Sequence, residues 1–111
     1  MDISIIGAGY VGLVTGVCLS DAGHKVTCID KDKDKIDGLL KGAIPIFEPD
    51  LESLVKKNIK IKNLFFSSDI KSSLEKSNVI FIAVGTPTSL DGQNADLSQI
   101  FSCAEEIANT L

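Results

Sequence analysis

A chain of 111 residues has length for one core and not for two, because at that size folding buries roughly two-thirds of the surface the unfolded form exposes. Its hydrophobic content of 44% and mean hydropathy of +0.23 exclude a disordered polar chain. Eleven Lys and no Arg stand against ten Asp and five Glu, a net charge of −4, so the basic, Arg-bearing surface that duplex nucleic acid demands is absent. Nucleic acid is therefore not expected as a partner. A small nucleotide stays open, since backbone N–H groups bind phosphate without basic side chains.

The elements follow in order. Ile3 to Ile6 is an apolar run that stops at Gly7 and reads as a buried strand. Val11, Leu13, Val14, Val17 and Cys18 then recur at helical spacing, and Gly23 sits where a helix C-terminal glycine belongs. Val26 to Ile29 is a second β-branched strand, closed by Asp30. Asp32 is placed to cap a helix that turns Ile36, Leu39 and Leu40 inward and stops at Gly42. Pro49 suits the first turn of a third helix, with Asp50 and Glu52 near its start, Lys56 and Lys57 near its end, and Leu51, Leu54 and Val55 as its stripe.

Leu64 to Ser67 reads as a third strand, and Ser68 or Asp69 opens a short helix through Ile70 and Leu74. Val79 to Val84 is six apolar residues without alternation, the pattern of a strand covered on both faces. Asp96, with Gln99 three residues on, predicts a capped final helix burying Leu97, Ile100, Phe101, Ala104, Ile107, Ala108 and Leu111. Strands alternating with helices predict an α/β, Rossmann-type doubly wound parallel sheet between two helical layers. Right-handed crossovers give the partial strand order 3-2-1-4, with a ligand crevice at the carboxyl ends where the order reverses.

Cys18, Cys28 and Cys103 are odd in number and without metal-ligand spacing. Each lies in an apolar run, so all three are expected as buried reduced thiols, which fits a cytoplasmic location. Neither a basic leader nor a membrane-length apolar run is present in the sequence, so no membrane partner is expected.

Gly7-Ala8-Gly9-Tyr10-Val11-Gly12 is G-x-G-x-x-G in its required context, with a strand before it, a helix after it and an acid closing the second strand. Gly7 permits the turn, Gly9 leaves room for a pyrophosphate, and Gly12 lets the helix approach the sheet. Gly16, four residues on, falls on the same helix face and reads as a packing glycine. Asp30 is positioned to accept from both hydroxyls of an adenosine ribose and to repel a 2′-phosphate, which favours NAD over NADP.

Five segments together carry a family resemblance: Gly7 to Gly16, Val26 to Asp30, Ile44-Pro45-Ile46-Phe47-Glu48-Pro49, Val84-Gly85-Thr86-Pro87-Thr88 with Asp91-Gly92, and Ala95-Asp96-Leu97-Ser98. Over essentially its whole length the chain resembles the UDP-glucose/GDP-mannose dehydrogenase family. The I-P-I-F-E-P and G-T-P-T blocks are the most specific. The resemblance implies two successive NAD-dependent oxidations of the C6 alcohol of a nucleotide sugar, UDP-glucose being the substrate it suggests, to the uronic acid. It implies NAD contacts from Gly7, Ala8, Gly9, Tyr10, Val11 and Gly12, with Asp30 and Lys35 at the adenosine ribose. Val84, Gly85, Thr86 and Pro87 would lie near the pyrophosphate or nicotinamide half. Spacing alone reads Lys35 as a solvated helix lysine.

Two features depart from the family pattern. Asp50 stands where members usually carry Gly after E-P, and a positive φ there would strain it. None of the three cysteines matches the motif of the family's catalytic cysteine. Residues 1–111 are accordingly expected to be the N-terminal NAD-binding domain of a truncated dehydrogenase, with no catalytic residue and no sugar-binding part of its own. A GDP-mannose or other nucleotide-sugar specificity, or a stand-alone NAD-sensing module, are the alternative readings. An exposed apolar fourth strand would invite self-association into homo-oligomers.

Overall fold

A computed structural model describes residues 1–44, 49–84 and 97–110. The elements are β1 (Asp2–Ile6), α1 (Tyr10–Asp21), β2 (Lys25–Ile29), α2 (Lys33–Leu40), α3 (Pro49–Lys60), β3 (Leu64–Ser67), α4 (Ile70–Glu75), β4 (Val79–Ile82) and α5 (Ser98–Thr110). Their four strands form one parallel sheet in the order β3-β2-β1-β4, as the crossover rule requires. Register pairs Ile5 with Cys28 and with Phe81, and Ile6 with Ile29 and Ile82. All four carboxyl ends therefore reach the same edge.

Alternation along the strands divides the interior into two cores. Ile3 and Ile5, Val26 and Cys28, Leu64 and Phe66 face α1, α2 and α3, where Leu13, Val17, Ile36, Leu39, Leu51 and Val55 close over them. Ile6 and Ile29 face the other way and meet Leu74 of α4 and Cys103 of α5. Polar Ser4 is buried on that second face. Its hydroxyl donates to the Ser73 carbonyl at 3.3 Å and bonds the Ser77 hydroxyl, which ties β1 to the end of α4.

Helices α1, α2 and α3 end alike. Residues 23, 42 and 62 adopt positive φ, and each motif pairs a six-to-one bond with a five-to-two bond: His24 to Leu19 with Gly23 to Ser20, Ala43 to Gly38 with Gly42 to Leu39, and Asn63 to Asn58 with Lys62 to Ile59. Two of the three use glycine and the third uses Lys62, at φ 63°. The Asp32 side chain caps α2 through the Asp34 and Lys35 N–H groups, and Asp69 caps α4 through Ser72. Asp50 lies in the first turn of α3 and is not among the positive-φ residues, so the sequence departure there carries no backbone strain.

Four expectations about burial fail. Leu40 is 53% exposed, because α2 ends with it and only the Ile36–Leu39 face reaches the sheet. Cys18 is exposed: α1 packs through Gly12, Leu13, Gly16, Val17 and Ser20, a stripe that Cys18 misses. β4 ends at Ile82, short of the expected Val84, and only its start is covered on both faces: Val79 packs against one core and Ile80 against the other, while Phe81 and Ile82 are partly exposed on the edge strand expected there. Helix α5 turns Cys103 inward, with Ile107 against it, and leaves Phe101 67% and Leu97 44% exposed. The expected Asp96 cap and Leu111 lie outside the described residues. Among the described residues no helix is long and apolar enough to cross a membrane.

Candidate functional site

The parallel ladder continues one residue past the strands. Gly7 N–H donates to the Ile29 carbonyl at 2.7 Å, Asp30 N–H to Ser67 at 3.1 Å, and Ala83 N–H to Ile6 at 2.8 Å. These bonds set Gly7, Asp30 and Ala83 side by side on the carboxyl edge. The edge opens into a cleft of about 720 Å³. One wall carries Gly7, Gly9, Asp30, Lys31 and Lys35. The other carries Ser68 and Ile70, then Ala83 and Val84, then Ser102, Cys103 and Glu106 of α5.

The three glycines of the loop do different work. Gly7 has φ +108°, and a Cβ there would meet the Ala83 carbonyl oxygen at 2.6 Å. A Cβ on Gly12 would overlap the Gly7 carbonyl. Both are demanded by the fold itself. Gly9 is exposed, its φ is −81°, and among the described residues a Cβ built on it meets nothing within 4 Å. Neither backbone strain nor packing against the described residues asks for glycine at position 9, and the space above it is open to the cleft. Gly9 is also the N-cap of α1, with no side-chain cap bond, and Tyr10 and Val11 follow it exposed. The positive end of the α1 dipole thus faces open cleft.

Gly16 acts within the fold. A Cβ there would meet Cys28 Sγ at 2.6 Å and Ile5 Cδ1 at 3.3 Å, so its absence lets α1 settle onto β1 and β2. Burial pushes the Cys28 thiol up to about 12, and it stays protonated. Burial also raises Cys103, with Lys31 lowering and Glu106 raising it in lesser measure.

Asp30 is held from two sides. Its Oδ2 accepts the Ala8 N–H at 3.0 Å and its Oδ1 accepts the Asp32 N–H at 3.0 Å. The Lys35 ammonium lies 3.4 Å from Oδ2. Partial burial pushes its pKa up, and the Asp32 and Ala8 N–H groups together with Lys35 outweigh that effect. The carboxyl is held below its ordinary value of 3.8 and is ionised at neutral pH. About four acceptor positions exist on a carboxylate, so capacity remains for a further donor beside these three.

The structure thus brings Gly7, Ala8, Gly9, Tyr10, Val11, Gly12, Asp30, Lys35 and Val84 to one edge. Lys35 is not merely solvated, since it reaches Asp30. Gly85, Thr86 and Pro87 lie outside the described residues. The sequence reading missed Lys31, Ile70, Ser102, Cys103 and Glu106 as cleft residues. Glu106 stands 76 residues beyond Asp30, and no local pattern in α5 signals that its Cys103–Glu106 face would meet the end of β2. Among the described residues no group of three or more His, Cys, Asp or Glu is placed to hold a metal ion.

Comparison with known proteins agrees with this fold. The profile described as UDP-glucose/GDP-mannose dehydrogenase family, NAD binding domain, matches residues 1–111. A UDP-glucose 6-dehydrogenase of Rhizobium meliloti (strain 1021) is 53% identical over 111 residues, covering 100% of this chain and 25% of that protein. The UDP-glucose 6-dehydrogenase YwqF of Bacillus subtilis (strain 168) is 54% identical over 108 residues, 97% of this chain and 24% of its own length. Among solved structures, a ternary complex of GDP-mannose dehydrogenase from Pseudomonas aeruginosa superposes with a TM-score of 0.93 at 41% identity, covering 99% of this chain and 25% of that one. A UDP-glucose dehydrogenase from Pyrobaculum islandicum gives 0.89 at 32% identity, over 96% and 24% of the two chains. The chain spans about a quarter of the length of these relatives.

Proposed function

The chain belongs to the UDP-glucose/GDP-mannose dehydrogenase family as its NAD-binding domain, and from that premise we propose that it holds the coenzyme for a UDP-glucose 6-dehydrogenase and turns over no sugar alone. In this reading the pyrophosphate lies over Gly9, where the α1 N-terminus offers N–H groups and its positive dipole end. Asp30 accepts from an adenosine ribose hydroxyl, the one further donor its remaining capacity admits, and its charge turns away a 2′-phosphate. The Asp32 and Ala8 N–H groups, with Lys35, hold that carboxylate ionised and oriented. Val84, with Gly85, Thr86 and Pro87, borders the other half of the dinucleotide.

Bound NAD⁺ supplies a hydride acceptor for oxidation of a C6 alcohol, first to the aldehyde level and then, with a second NAD⁺, to the acid. The residues of this chain bind and orient that acceptor. The nucleophile, the proton-transfer groups and the sugar contacts are not assigned to any of residues 1–111: Cys28 is sealed beneath α1 and Cys103 is raised rather than activated. A cytoplasmic location and self-association along the β4 edge, where Phe81 and Ile82 are partly exposed, complete the reading. GDP-mannose as the sugar is a second reading, favoured by the 0.93 superposition on a GDP-mannose dehydrogenase.

One observation carries the proposal: among the described residues nothing occupies the space that a side chain at position 9 would fill. The test is Gly9→Val, assayed by calorimetric titration with NAD and by thermal melting. Loss of NAD affinity with an unchanged melting temperature supports the reading. Undiminished affinity refutes it.

A further inference from the structure

Cys28 is the last β2 residue on the face that α1 covers, and it is wholly buried between its register partners Ile5 and Phe66. Its thiol donates to the Gly12 carbonyl oxygen at 4.0 Å, a weak bond. Its Sγ is also the atom nearest the place a Gly16 side chain would take, at 2.6 Å against 3.3 Å for Ile5 Cδ1 and 3.5 Å for Val26 Cγ1. The sulfur is therefore the sheet's closest approach to α1 at this turn. Gly12 is the third residue of that helix, and the Tyr10 and Val11 N–H groups ahead of it belong to the turn whose positive end opens on the cleft. Two residues beyond Cys28, the Asp30 carboxylate accepts the Ala8 N–H at 3.0 Å. Strand β2 thus meets the glycine loop and its helix twice, by packing beneath Gly12 and Gly16 and by a hydrogen bond at Ala8.

We propose that Cys28 is a positioning residue: the size of its side chain sets how far the first turn of α1 stands from the sheet, and with it the span between the loop amides and the Asp30 carboxylate. The inference rests on the coenzyme reading above, in which those two groups hold the pyrophosphate and the ribose of one dinucleotide. A ligand that engages both loses affinity when the span changes, and a ligand that engages Asp30 alone does not. Interiors are too densely packed to absorb a larger side chain beneath Gly16, which has no side chain of its own to give way. Serine is the closest match in size and keeps a donor for the Gly12 carbonyl, so it preserves the seat. Valine adds a branch at Cβ and lifts the helix.

The test titrates the native chain, Cys28→Ser and Cys28→Val with NAD and with adenosine, which carries the ribose but no phosphate, and circular dichroism checks that each folds. Cys28→Val should weaken NAD about tenfold while adenosine stays within about twofold, and Cys28→Ser should keep both within about twofold of native. Where Cys28→Val does not fold, Cys28→Ala, which withdraws the support beneath Gly12, is read in its place, with a split of about threefold between the two ligands. Equal losses of NAD and adenosine in the valine or alanine variant, no loss of NAD, or a loss in Cys28→Ser as large as in Cys28→Val overturns the positioning role while leaving the coenzyme reading intact. Failure of the folded native chain to bind NAD overturns both.

Discussion

The Asp30 carboxylate accepts the backbone N–H of Ala8 at 3.0 Å, across the 22 residues that separate the end of β2 from the glycine loop. This bond makes the acid a brace. It ties the glycine loop to the end of β2, and Asp32 N–H on the other oxygen extends the tie into the start of α2.

Replacing Asp30 with Ala should therefore do two things at once. NAD affinity should fall about tenfold or more, with a smaller loss for NADP, because the removed charge also repelled the 2′-phosphate. Stability should fall by about 1–2 kcal/mol, since the Ala8 and Asp32 N–H groups lose their acceptor. Titration with both dinucleotides and a denaturant melt separate the two effects. An equal loss for NAD and NADP would remove the ribose role and leave only the brace.

Acid should act through the same residue. The folded Asp30 carboxyl lies below its ordinary 3.8, so its contribution is fully present above that value and is lost as pH falls below it, when the folded state must take up the proton. Asp21, held down by Lys57 and Asn58, and Asp69, held down by Ser72, shift in the same direction. Stability measured from pH 7 down to 2 should decline mainly at the lower end of that range, and Asp30→Asn should flatten the decline. A profile unchanged by that substitution would contradict the assignment.

Gly16 tests the packing of α1. Alanine there gains about 1 kcal/mol of helix propensity but drives a methyl to 2.6 Å from Cys28 Sγ. Overpacking costs about 1–3 kcal/mol, so Gly16→Ala should destabilise by about 0–2 kcal/mol. In a Cys28→Ala background the tightest contact is gone and only Ile5 Cδ1 at 3.3 Å remains, so the same substitution should be less destabilising or become neutral. A double-mutant cycle by chemical denaturation measures the coupling, and strict additivity would show that helix and strand do not touch there.

Lys62 offers the opposite case. It takes the positive-φ place at the end of α3 that Gly23 and Gly42 take after α1 and α2. A residue with a Cβ is strained there by about 1–2 kcal/mol. Lys62→Gly should raise stability by about 1 kcal/mol, part of the relief being returned to unfolded-chain entropy. A thermal melt checks it, and a lowered melting temperature would contradict it.

How much of this was legible in the sequence follows from how local each signal is. β1, the glycine loop and Asp30 could be read because every constraint on them lies within about one βαβ unit. The Asp32 cap and the bounds of β3, Leu64–Ser67, are likewise local. The α5 stripe misled because periodicity shows which residues are apolar but not which neighbour covers them. The helix meets the rest of the described chain through Cys103 and Ile107, and Phe101 points elsewhere. β4 was read in part: Val79 and Ile80 are covered from opposite faces as the non-alternating run implies, and the strand is the exposed edge expected, but the run does not show that cover stops before Phe81. Cys18 was lost to a small-residue stripe: Gly12, Gly16 and Ser20 mark the buried face of α1, and a reading that follows large apolar side chains does not see them. Glu106 needed tertiary structure, because only folding sets it against Lys31.

If a dinucleotide lies on the carboxyl edge of the sheet, from the glycine loop to the start of α2, amide resonances followed by NMR during titration with NAD should show it. Gly7 to Gly12 and Asp30 to Lys35 should shift, with no change at Asp21, Lys57 and Asn58, which join α1 to α3 behind the sheet. Shifts confined to that rear face, or a folded chain whose loop amides stay still at saturating NAD, would contradict it.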